Sequence, residues 1–278
     1  MKKVSIITIN YNSKKDLEST IISVVNQSYP NIEYIVIDGG SSDGSIEIIK
    51  KYEKYISYWV SEPDRGIYDA MNKGLDLASG FWINFKNSGD RFYDNDSLTS
   101  IDLNKYEKEG IDIVYGPSYN LYGNIIIDSL NVYNLDLGKL HLGRTMPPHQ
   151  SSLFKFELFK KYRYPIEYKI SSDFDFILKM YLDGRKIVFD SNLITLFKMG
   201  GVSTKNEILT VREKFLITKK YFPIQKIILN YTILLIEVYI KSIFKKSKFL
   251  YTIIIKFKSL VLLNEIKNEN ITSNSSNG

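Results

Sequence analysis

The first ninety residues alternate short, almost fully apolar segments with longer segments whose apolar positions recur at helical spacing. The apolar segments cover residues 4–9, 32–37, 56–60 and 81–85. Strands without polar alternation are typical of a parallel sheet that is buried on both faces, and the helices between them provide the crossover connections. The pattern therefore predicts an α/β fold, with a mostly parallel sheet flanked by helices.

Polar side chains follow the ends of all four predicted strands. In open α/β sheets ligands bind beyond the carboxyl ends of the strands, so we expect these side chains to line one crevice. One such residue alone is more often a helix cap or a turn residue, but four strand ends of the same kind favour a binding site. The residues are Asn10, Tyr11, Asp38, Glu62, Asp64, Arg65, Asn87 and Asp90.

Beyond residue 90 the periodicity is weaker. Residues 97–108 predict a helix and residues 111–115 predict a strand. Turn residues at Gly116-Pro117 and Gly123-Asn124 indicate a hairpin lying over the sheet. A further helix is predicted to begin at Ser171.

Composition narrows the chemistry that this sheet edge can perform. The 278 residues include no cysteine and two histidines, which excludes disulfides, thiol catalysis and cysteine-ligated zinc. A bound metal would therefore be a hard cation held by carboxylates and phosphate oxygens. The first strand is followed by Asn10-Tyr11-Asn12 rather than G-x-G-x-x-G, and the chain has no G-x-x-x-x-G-K-[ST]. Rossmann-type dinucleotide binding and P-loop nucleotidase activity are therefore disfavoured.

A nucleotide can still bind these strand ends through other contacts. Tyr11 can stack on a base, and Asp38 can accept a hydrogen bond from a ring N–H such as that of uracil. Arg65, together with a divalent cation held by carboxylates, can neutralise a diphosphate.

Six motifs occur in a specific order and spacing across residues 3–204. They are Val4–Asn12, Ile37–Ser45, Glu62–Gly74, His149-Gln150-Ser151, Ser172–Asp175 and Gly200-Gly201-Val202-Ser203. Together they resemble the family 2 glycosyltransferases of the GT-A fold, most closely the branch that assembles bacterial O-antigen and capsular polysaccharide. The resemblance implies a GT-A domain over residues 1–204, with a nucleotide-binding half, 1–90, and an acceptor half, 91–204.

The resemblance also implies the reaction and its partners. The reaction would be an inverting hexosyl transfer from a nucleotide diphosphate sugar, with a UDP-sugar favoured, to a hydroxyl of a lipid-linked oligosaccharide in surface polysaccharide biosynthesis. The implied cofactor is Mn²⁺ or Mg²⁺. A lipid-linked acceptor implies a cytoplasmic enzyme that is peripheral on the inner face of the cell membrane.

Carried over onto matching positions, the resemblance assigns the contacts to the donor. Asp38 would read the uracil, with Asn10 and Tyr11 beside it. The residues that would line the nucleotide and its diphosphate are Asp64, Arg65, Lys73 and Asn87.

The resemblance assigns the general base to Asp173, with Asp175 as the second candidate. The alternative for Asp173 is a carboxylate favoured by the macrodipole at a helix N-terminus, which also lowers its pKa. The family usually carries Asp-x-Asp after the fourth strand, where this sequence has Asn87-Ser88-Gly89-Asp90. Asp90 is then the expected metal ligand, and His149 is either a second ligand or an ordinary loop residue.

The positive charge of the chain is concentrated after residue 204. Residues 205–278 contain 13 Lys and Arg against 5 Glu. No uncharged apolar run approaches the ~18 residues that a membrane span needs. We therefore expect a basic amphipathic helical extension over 205–267, which contacts a membrane surface through 226–262, and a disordered tail over 268–278. Packing on the catalytic domain or on a second subunit, as in a homodimer, is the alternative.

Two other functions fit part of the sequence. A nucleotidyltransferase shares the strand and helix layout, but it would carry a glycine- and arginine-rich loop after the first strand. A catalytically degenerate assembly or binding subunit of a polysaccharide complex would explain the missing Asp-x-Asp, although Asp90 and Asp173 argue against it. Nucleic-acid binding is disfavoured because the basic C-terminal stretch alternates with long aliphatic residues.

Overall fold

The computed structural model describes residues 1–122, 125–128, 135–201 and 206–246. By its internal contacts the chain divides into two units, residues 1–227 and 228–278. Several sequence predictions fall outside the described residues. They are the turn at Gly123-Asn124, the motif residues Val202-Ser203, the extension beyond residue 246 and the tail over 268–278.

The strands of the described residues form two sheets. Their bounds are β1 (Val4–Asn10), β2 (Ile32–Asp38), β3 (Tyr58–Ser61), β4 (Trp82–Phe85), β5 (Arg91–Phe92), β6 (Ile113–Tyr115), β7 (Ser118–Tyr122), β8 (Ile125–Asp128), β9 (Ser152–Lys155), β10 (Ile187–Phe189) and β11 (Thr195–Lys198).

The α-helices of the same residues lie between and after these strands. Their bounds are α1 (Lys14–Val25), α2 (Ser45–Lys51), α3 (Ile67–Leu77), α4 (Leu103–Lys108), α5 (Phe156–Lys161), α6 (Ser172–Leu182), α7 (Glu207–Thr218) and α8 (Ile224–Lys246). Short 3-10 turns cover Glu53–Tyr55, Leu137–Leu142 and His149–Ser151.

The central sheet has seven strands in the order β10-β6-β9-β4-β1-β2-β3. Strand β9 runs antiparallel to both of its neighbours, and the other pairs are parallel. Strand β1 lies between β2 and β4, and its register with β2 sets Asn10 opposite Asp38. This parallel-rich sheet flanked by helices confirms the predicted α/β class.

The central sheet is buried on both faces, as its apolar strands predict. Ile7 and Ile37 belong to the core on the side of α3 and α6. Ile6 and Val36, their neighbours along the strands, belong to the core on the side of α1. Because successive side chains of a strand point to opposite faces, a continuous apolar run supplies both layers at once.

The second sheet has four strands in the order β5-β11-β7-β8. Strands β7 and β8 pair antiparallel, as the predicted hairpin requires. Strand β7 also pairs with β11, so the hairpin belongs to this second sheet and not to the central one. Strand β5 begins directly after Asp90, and β11 ends at Lys198, whose backbone N–H lies 3.4 Å from Asp90 Oδ1. This sheet therefore borders the predicted metal ligand.

The helix predicted over 97–108 is shorter in the structure, where α4 begins at Leu103. The prediction was wrong for the first six residues because local carboxylates hold turns there. Asp94 Oδ1 accepts the backbone N–H of Asp96 at 3.0 Å, and Asp102 Oδ1 caps α4 by accepting the backbone N–H of Lys105 at 2.9 Å. Aspartates that bond nearby backbone groups compete with helix in this way.

The C-terminal helices are described up to residue 246. Helix α7 belongs to the first unit. Within that unit Glu213 of α7 accepts hydrogen bonds from the backbone N–H groups of Lys169, Ile170 and Ser171. The boundary expected after residue 204 stays a prediction. Across the described ranges, no helix is both long enough and apolar enough to cross a membrane.

Candidate active site

Side chains at the carboxyl ends of β1, β2 and β4 meet in one hydrogen-bonded cluster. Asn10 Nδ2 donates to Asp38 Oδ1 at 2.6 Å, and Ser88 Oγ donates to Asn10 Oδ1 at 2.8 Å. All three elements end at the same edge of the sheet, as parallel strands with β1 in the middle require. The structure therefore brings together three of the four predicted strand-end groups through Asn10.

Asp38 is fully buried, and both of its carboxylate oxygens accept hydrogen bonds from other groups of the protein. Oδ1 accepts from Asn10 Nδ2 and from Ser41 Oγ, each at 2.6 Å. Oδ2 accepts from Ser61 Oγ at 2.6 Å, from Ser41 N at 2.8 Å and from Gly40 N at 3.2 Å. Burial works to raise the pKa of Asp38, but these hydrogen bonds outweigh it and hold the pKa below its usual value. Asp38 is therefore an ionised organiser of the loop after β2.

Gly39 lies between Tyr11, which is expected beside the nucleobase, and Asp64, which is expected to line the nucleotide and its diphosphate. A Cβ atom on Gly39 would lie 2.4 Å from Asp64 Oδ2 and 3.2 Å from Tyr11 Cδ2, so a side chain at this position would displace the carboxylate of Asp64. Asp64 Oδ1 accepts the backbone N–H of Gly66 at 2.8 Å, while the Tyr11 residue is 65% exposed. Tyr11 thus presents an exposed ring beside Asp64 at the mouth of the cluster.

The two cations predicted to contact the donor phosphates are paired with carboxylates of the same region. Arg65 Nη2 lies 2.9 Å from Asp69 Oδ1, and Lys73 Nζ lies 2.6 Å from Glu62 Oε1. Lys73 also donates to the carbonyl of Pro63 at 3.1 Å. Both pairs are partly exposed, and such pairs exchange partners at low energetic cost.

The turn after β4 contains two buried oxygens that make no hydrogen bond within the described residues. They are Asn87 Oδ1 and Asp90 Oδ2. Asp90 is 3% exposed, and burial raises the pKa of its carboxyl although the neighbouring His149 and Lys86 work in the opposite direction. An unsatisfied buried carboxylate is costly, so this turn is ready to accept a cation or a donor.

Lys86 was not identified from the sequence, although it is fully buried directly after β4. Its ammonium donates to the carbonyl of Gln150 and, at 3.1 Å, to Thr195 Oγ1, and it lies 4.0 Å from the ring centroid of Phe92. Burial lowers the pKa of Lys86, against the opposing charge of Asp90. A lysine continuing an otherwise apolar strand was the signal that could have found it.

Asp173, near the start of α6, lies beside a histidine and a tyrosine. Its Oδ2 is 3.3 Å from His149 Nδ1, and its Oδ1 is 3.0 Å from the hydroxyl of Tyr68. Burial works to raise the pKa of Asp173, but the contacts with His149 and Tyr68 lower it further than burial raises it. His149 Nε2 in turn lies 3.2 Å from Asn87 Nδ2. His149 therefore links the predicted base to the turn that carries Asp90.

Asp175, the second candidate base, is engaged elsewhere. It is fully buried, its Oδ1 accepts the hydroxyl of Tyr221 at 3.1 Å, and its Oδ2 lies 2.9 Å from Lys179 Nζ. None of these partners contacts Asp38, Asp90 or Asp173 by a hydrogen bond. The geometry favours Asp173 over Asp175 as the group that faces the cluster.

Residues 5–163 match the family described as glycosyl transferase family 2. This segment is more than half of the chain and includes every strand-end residue of the cluster. The chain belongs to glycosyl transferase family 2.

Two other glycosyltransferases are similar in sequence to this family 2 glycosyltransferase. A glycosyltransferase of Mycobacterium tuberculosis is 36% identical over 182 residues, which cover 64% of this chain and 69% of the relative. A PGL/p-HBAD biosynthesis glycosyltransferase of Mycobacterium bovis is 30% identical over 186 residues, with the same coverage. The family and its enzymatic class are thereby established, while the O-antigen and capsule branch stays a prediction.

Solved structures share the fold of this glycosyltransferase. S. aureus TarS in complex with UDP has a TM-score of 0.59 and 21% identity over 77% of this chain and 65% of the solved chain. The mannosyltransferase PcManGT from Pyrobaculum calidifontis, in complex with GDP-Man and Mn²⁺, has a TM-score of 0.66 and 17% identity over 84% of this chain and 70% of the solved chain. The GT-A type fold expected from the sequence motifs is thus confirmed.

The residues after β4 fit the divalent cation that this fold family implies. Asn87 Oδ1 and Asp90 Oδ2 are the kind of oxygen ligand that Mg²⁺ and Mn²⁺ prefer, and both lack another partner among the described residues. Within those residues, no three His, Asp or Glu side chains form a complete metal site. The remaining ligands would therefore come from the donor diphosphate and water. His149 is close to Asn87 and stays a second candidate ligand.

Replacing Asp38 by Asn tests its place as the ionised organiser of the site. At pH 7 the amide cannot accept all the donors that face Oδ2, so we expect unfolding free energy to fall by about 2–3 kcal/mol. The folded pKa of Asp38 lies below its ordinary value of 3.8, so its stabilisation is present above about pH 4 and disappears as the pH falls through the folded pKa. The difference between wild-type and variant melting temperatures should therefore shrink below pH 4.

The matched control for this pH series is Asp76→Asn. Asp76 is an exposed carboxylate on α3 that pairs with the partly exposed Arg163 at 2.7 Å. Its melting curve should follow that of the wild type at every pH. A constant difference for Asp38→Asn between pH 7 and pH 3 would contradict the ionised, hydrogen-bonded role of Asp38.

Proposed function

We propose that this glycosyltransferase transfers a hexosyl group from a nucleotide diphosphate sugar, with a UDP-sugar favoured, to a hydroxyl of a lipid-linked oligosaccharide in bacterial surface polysaccharide assembly. The observation that carries the proposal is a continuous set of contacts across the sheet edge. From Asp38 it runs through Asn10 to Ser88, and from the adjacent Asn87 it runs through His149 to Asp173.

These contacts support separate donor and acceptor ends within one site. At one end, Tyr11, Asp38 and Asp64 surround Gly39, where an exposed ring can stack on a base. At the other end, Asp173 stands as an ionised carboxylate beside His149. The unsatisfied oxygens of Asn87 and Asp90 belong to the turn that joins the two ends. Donor phosphates bound at this turn would bring the anomeric carbon toward Asp173.

In the proposed reaction the acceptor oxygen bonds to the anomeric carbon while the bond from that carbon to the diphosphate breaks. The hydroxyl proton passes to Asp173, whose lowered pKa keeps it ionised and able to accept a proton at neutral pH. The hydroxyl becomes acidic only as its new bond forms, so a carboxylate suffices as the base. A bound divalent cation would supply Lewis-acid stabilisation of the leaving diphosphate.

The known proteins support the donor and the pathway by analogy. Solved relatives in fold are complexes of TarS with UDP and with UDP-GlcNAc, and of PcManGT with GDP-Man and Mn²⁺. A sequence relative acts in PGL/p-HBAD biosynthesis. A nucleotide sugar donor is consistent with these complexes. Of the two nucleotides in these complexes, we favour uridine, as the resemblance of the sequence implies.

We further propose that α8 contacts the inner face of the cell membrane. Its exposed apolar residues, which include Leu229, Ile236, Tyr239 and Ile243, fall within about 180° of the helix circumference at 100° per residue. The chain after residue 204 carries the excess of lysine and arginine that attracts anionic headgroups. An interfacial helix of this kind would bring the site to a lipid-linked acceptor, whereas the alternative is packing in a homodimer.

Donor binding is the first test of the proposed function. In thermal-shift and calorimetric titrations with UDP, GDP and dTDP, we expect one nucleotide, UDP, to stabilise the wild type only when Mn²⁺ or Mg²⁺ is present. Asp90→Ala should abolish this metal-dependent shift because it removes the buried carboxylate oxygen that has no other partner. Asp76→Ala, an exposed carboxylate on α3, serves as the control and should bind like the wild type. If no nucleoside diphosphate binds under any condition, the transferase proposal fails and a degenerate assembly subunit replaces it.

Substitution of Asp173, the proposed general base, distinguishes an effect on catalysis from an effect on donor binding. Asp173→Asn keeps an oxygen that can accept from Tyr68 and from the backbone N–H of Phe174. We therefore expect donor affinity and melting temperature to be retained, while kcat for transfer of labelled hexose to a lipid extract falls by about 10²–10⁴-fold. Asp175→Asn on the same helix should instead lower the melting temperature, because it removes a buried carboxylate that pairs with Lys179 and accepts from Tyr221. Equal kcat for Asp173→Asn and the wild type would remove Asp173 from its role.

Vesicle binding tests the membrane surface of α8. The full chain should cosediment with phosphatidylglycerol-containing vesicles but not with phosphatidylcholine vesicles, and about 0.5 M salt should weaken this binding. Leu229→Glu with Ile236→Glu should abolish it, whereas Tyr55→Glu, an exposed aromatic in the first unit, should not. If the protein does not cosediment with anionic vesicles and is dimeric in light scattering, packing of α8 in a homodimer is favoured instead.

A further inference from the structure

The peptide bond between Ile170 and Ser171 is held from both sides, directly before α6. The N–H of Ser171 donates to Glu213 Oε2 at 3.0 Å. The carbonyl of Ile170 accepts the hydroxyl of Tyr68 at 2.5 Å. In a planar trans peptide the N–H and the C=O point in opposite directions, so two partners on opposite sides fix the rotation of the whole unit.

Glu213 holds more than this one peptide. Its carboxylate is buried, and it also accepts the backbone N–H of Ile170 at 2.9 Å and that of Lys169 at 2.8 Å. Three consecutive N–H groups therefore converge on one ionised side chain. Such charge-assisted bonds are shorter and stronger than neutral ones, and no neutral side chain could accept all three.

We call the hydrogen bonds of Glu213 and Tyr68 to the peptide between Ile170 and Ser171 the clamp. This clamp fixes the position of Asp173. Ser171 precedes the first residue of α6, and its side chain makes no capping hydrogen bond, so the entry of the helix is held by the clamp. Asp173 is the second residue of that helix. The Tyr68 hydroxyl that holds the carbonyl of Ile170 also lies 3.0 Å from Asp173 Oδ1. One tyrosine therefore contacts both the clamped peptide and the carboxylate.

We propose that Glu213 and Tyr68 are positioning residues for the general base, acting through the peptide between Ile170 and Ser171. This inference rests on the proposed role of Asp173 and deepens it. Glu213 touches neither the strand-end cluster nor the Asn87–Asp90 turn by a hydrogen bond. It therefore acts on the transfer step and not on the donor, from a helix that lies beyond the segment matched to the family, 5–163.

The chain offers a matched control for Glu213. Glu33 is also a carboxylate with three short hydrogen bonds, from Ser5 Oγ at 2.5 Å, from Ser79 N at 2.7 Å and from Ser79 Oγ at 2.5 Å. It lies near the start of β2, at the opposite end of the strands from Asp38. Glu33→Gln and Glu213→Gln thus remove a comparable carboxylate, one far from the site and one beside its base.

Both variants are measured for melting temperature, donor dissociation constant, KM and kcat. We expect the two substitutions to lower the melting temperature by similar amounts and to leave the donor dissociation constant within about twofold of the wild type. Only Glu213→Gln should lower kcat, by about tenfold or more, because a misplacement of ~1 Å at a reacting group costs up to 10²-fold. Equal kcat values in the two variants would overturn the proposal.

Tyr68→Phe provides the second arm, which also serves if Glu213→Gln does not fold. It removes only the hydroxyl, and we expect a fall in kcat with donor binding retained. Where both single variants fold, the double variant should lose less than the product of the two effects, because both act through one peptide. A Tyr68→Phe enzyme with wild-type kcat would overturn the clamp.

The failure of the clamp is distinguishable from failure of the proposed function. If Asp173→Asn retains wild-type kcat, Asp173 is not the base, and the positioning role falls with it. If Asp173→Asn is inactive while Glu213→Gln and Tyr68→Phe both transfer at the wild-type rate, only the clamp is refuted. A loss of kcat confined to Asp173→Asn, Glu213→Gln and Tyr68→Phe supports both.

Discussion

The pairing of Asn10 with Asp38 is the constraint on which the rest of the site depends. The parallel register of β1 and β2 sets these residues side by side, and β4 on the other side of β1 adds Ser88 to the same cluster. Burying the charge of Asp38 costs free energy, and the hydrogen bonds that its carboxylate accepts offset this cost. The loops after three strands are thereby fixed relative to one another before any ligand binds, which is the preorganisation that a transfer site needs.

Three aspartates of the site have different environments, and the differences match different tasks. Asp38 is buried and fully hydrogen-bonded, so it organises the loop after β2. Asp90 is buried with an oxygen left without a partner among the described residues, and burial raises the pKa of its carboxyl, which favours a cation as its partner. Asp173 is held ionised by His149 and Tyr68 at the acceptor end. Environment rather than residue type therefore assigns the roles.

The sequence predicted the fold and the strand-end residues because both depend on local patterns. Apolar runs located β1 to β4, and the residues that follow them met as expected of a parallel sheet. Glu213 could not be found in this way, because its partners lie more than forty residues away and none of its neighbours forms a motif. The resemblance already ranked Asp173 above Asp175, but the different contacts of the two carboxylates could not be predicted, since both lie in the first turn of α6.

The two ends of the site are built in different ways, and this has a mechanical consequence. The proposed donor end uses loops that follow adjacent strands, so its geometry is maintained by the sheet itself. The other end carries Asp173, the proposed general base, near the start of α6. The peptide directly before this helix is hydrogen-bonded to Tyr68 of α3 and to Glu213 of α7, two elements that are distant in sequence. His149 and Asn87 provide the hydrogen-bonded link between the ends. In the proposed function, the donor contacts and the placement of the general base are therefore set by different parts of the fold.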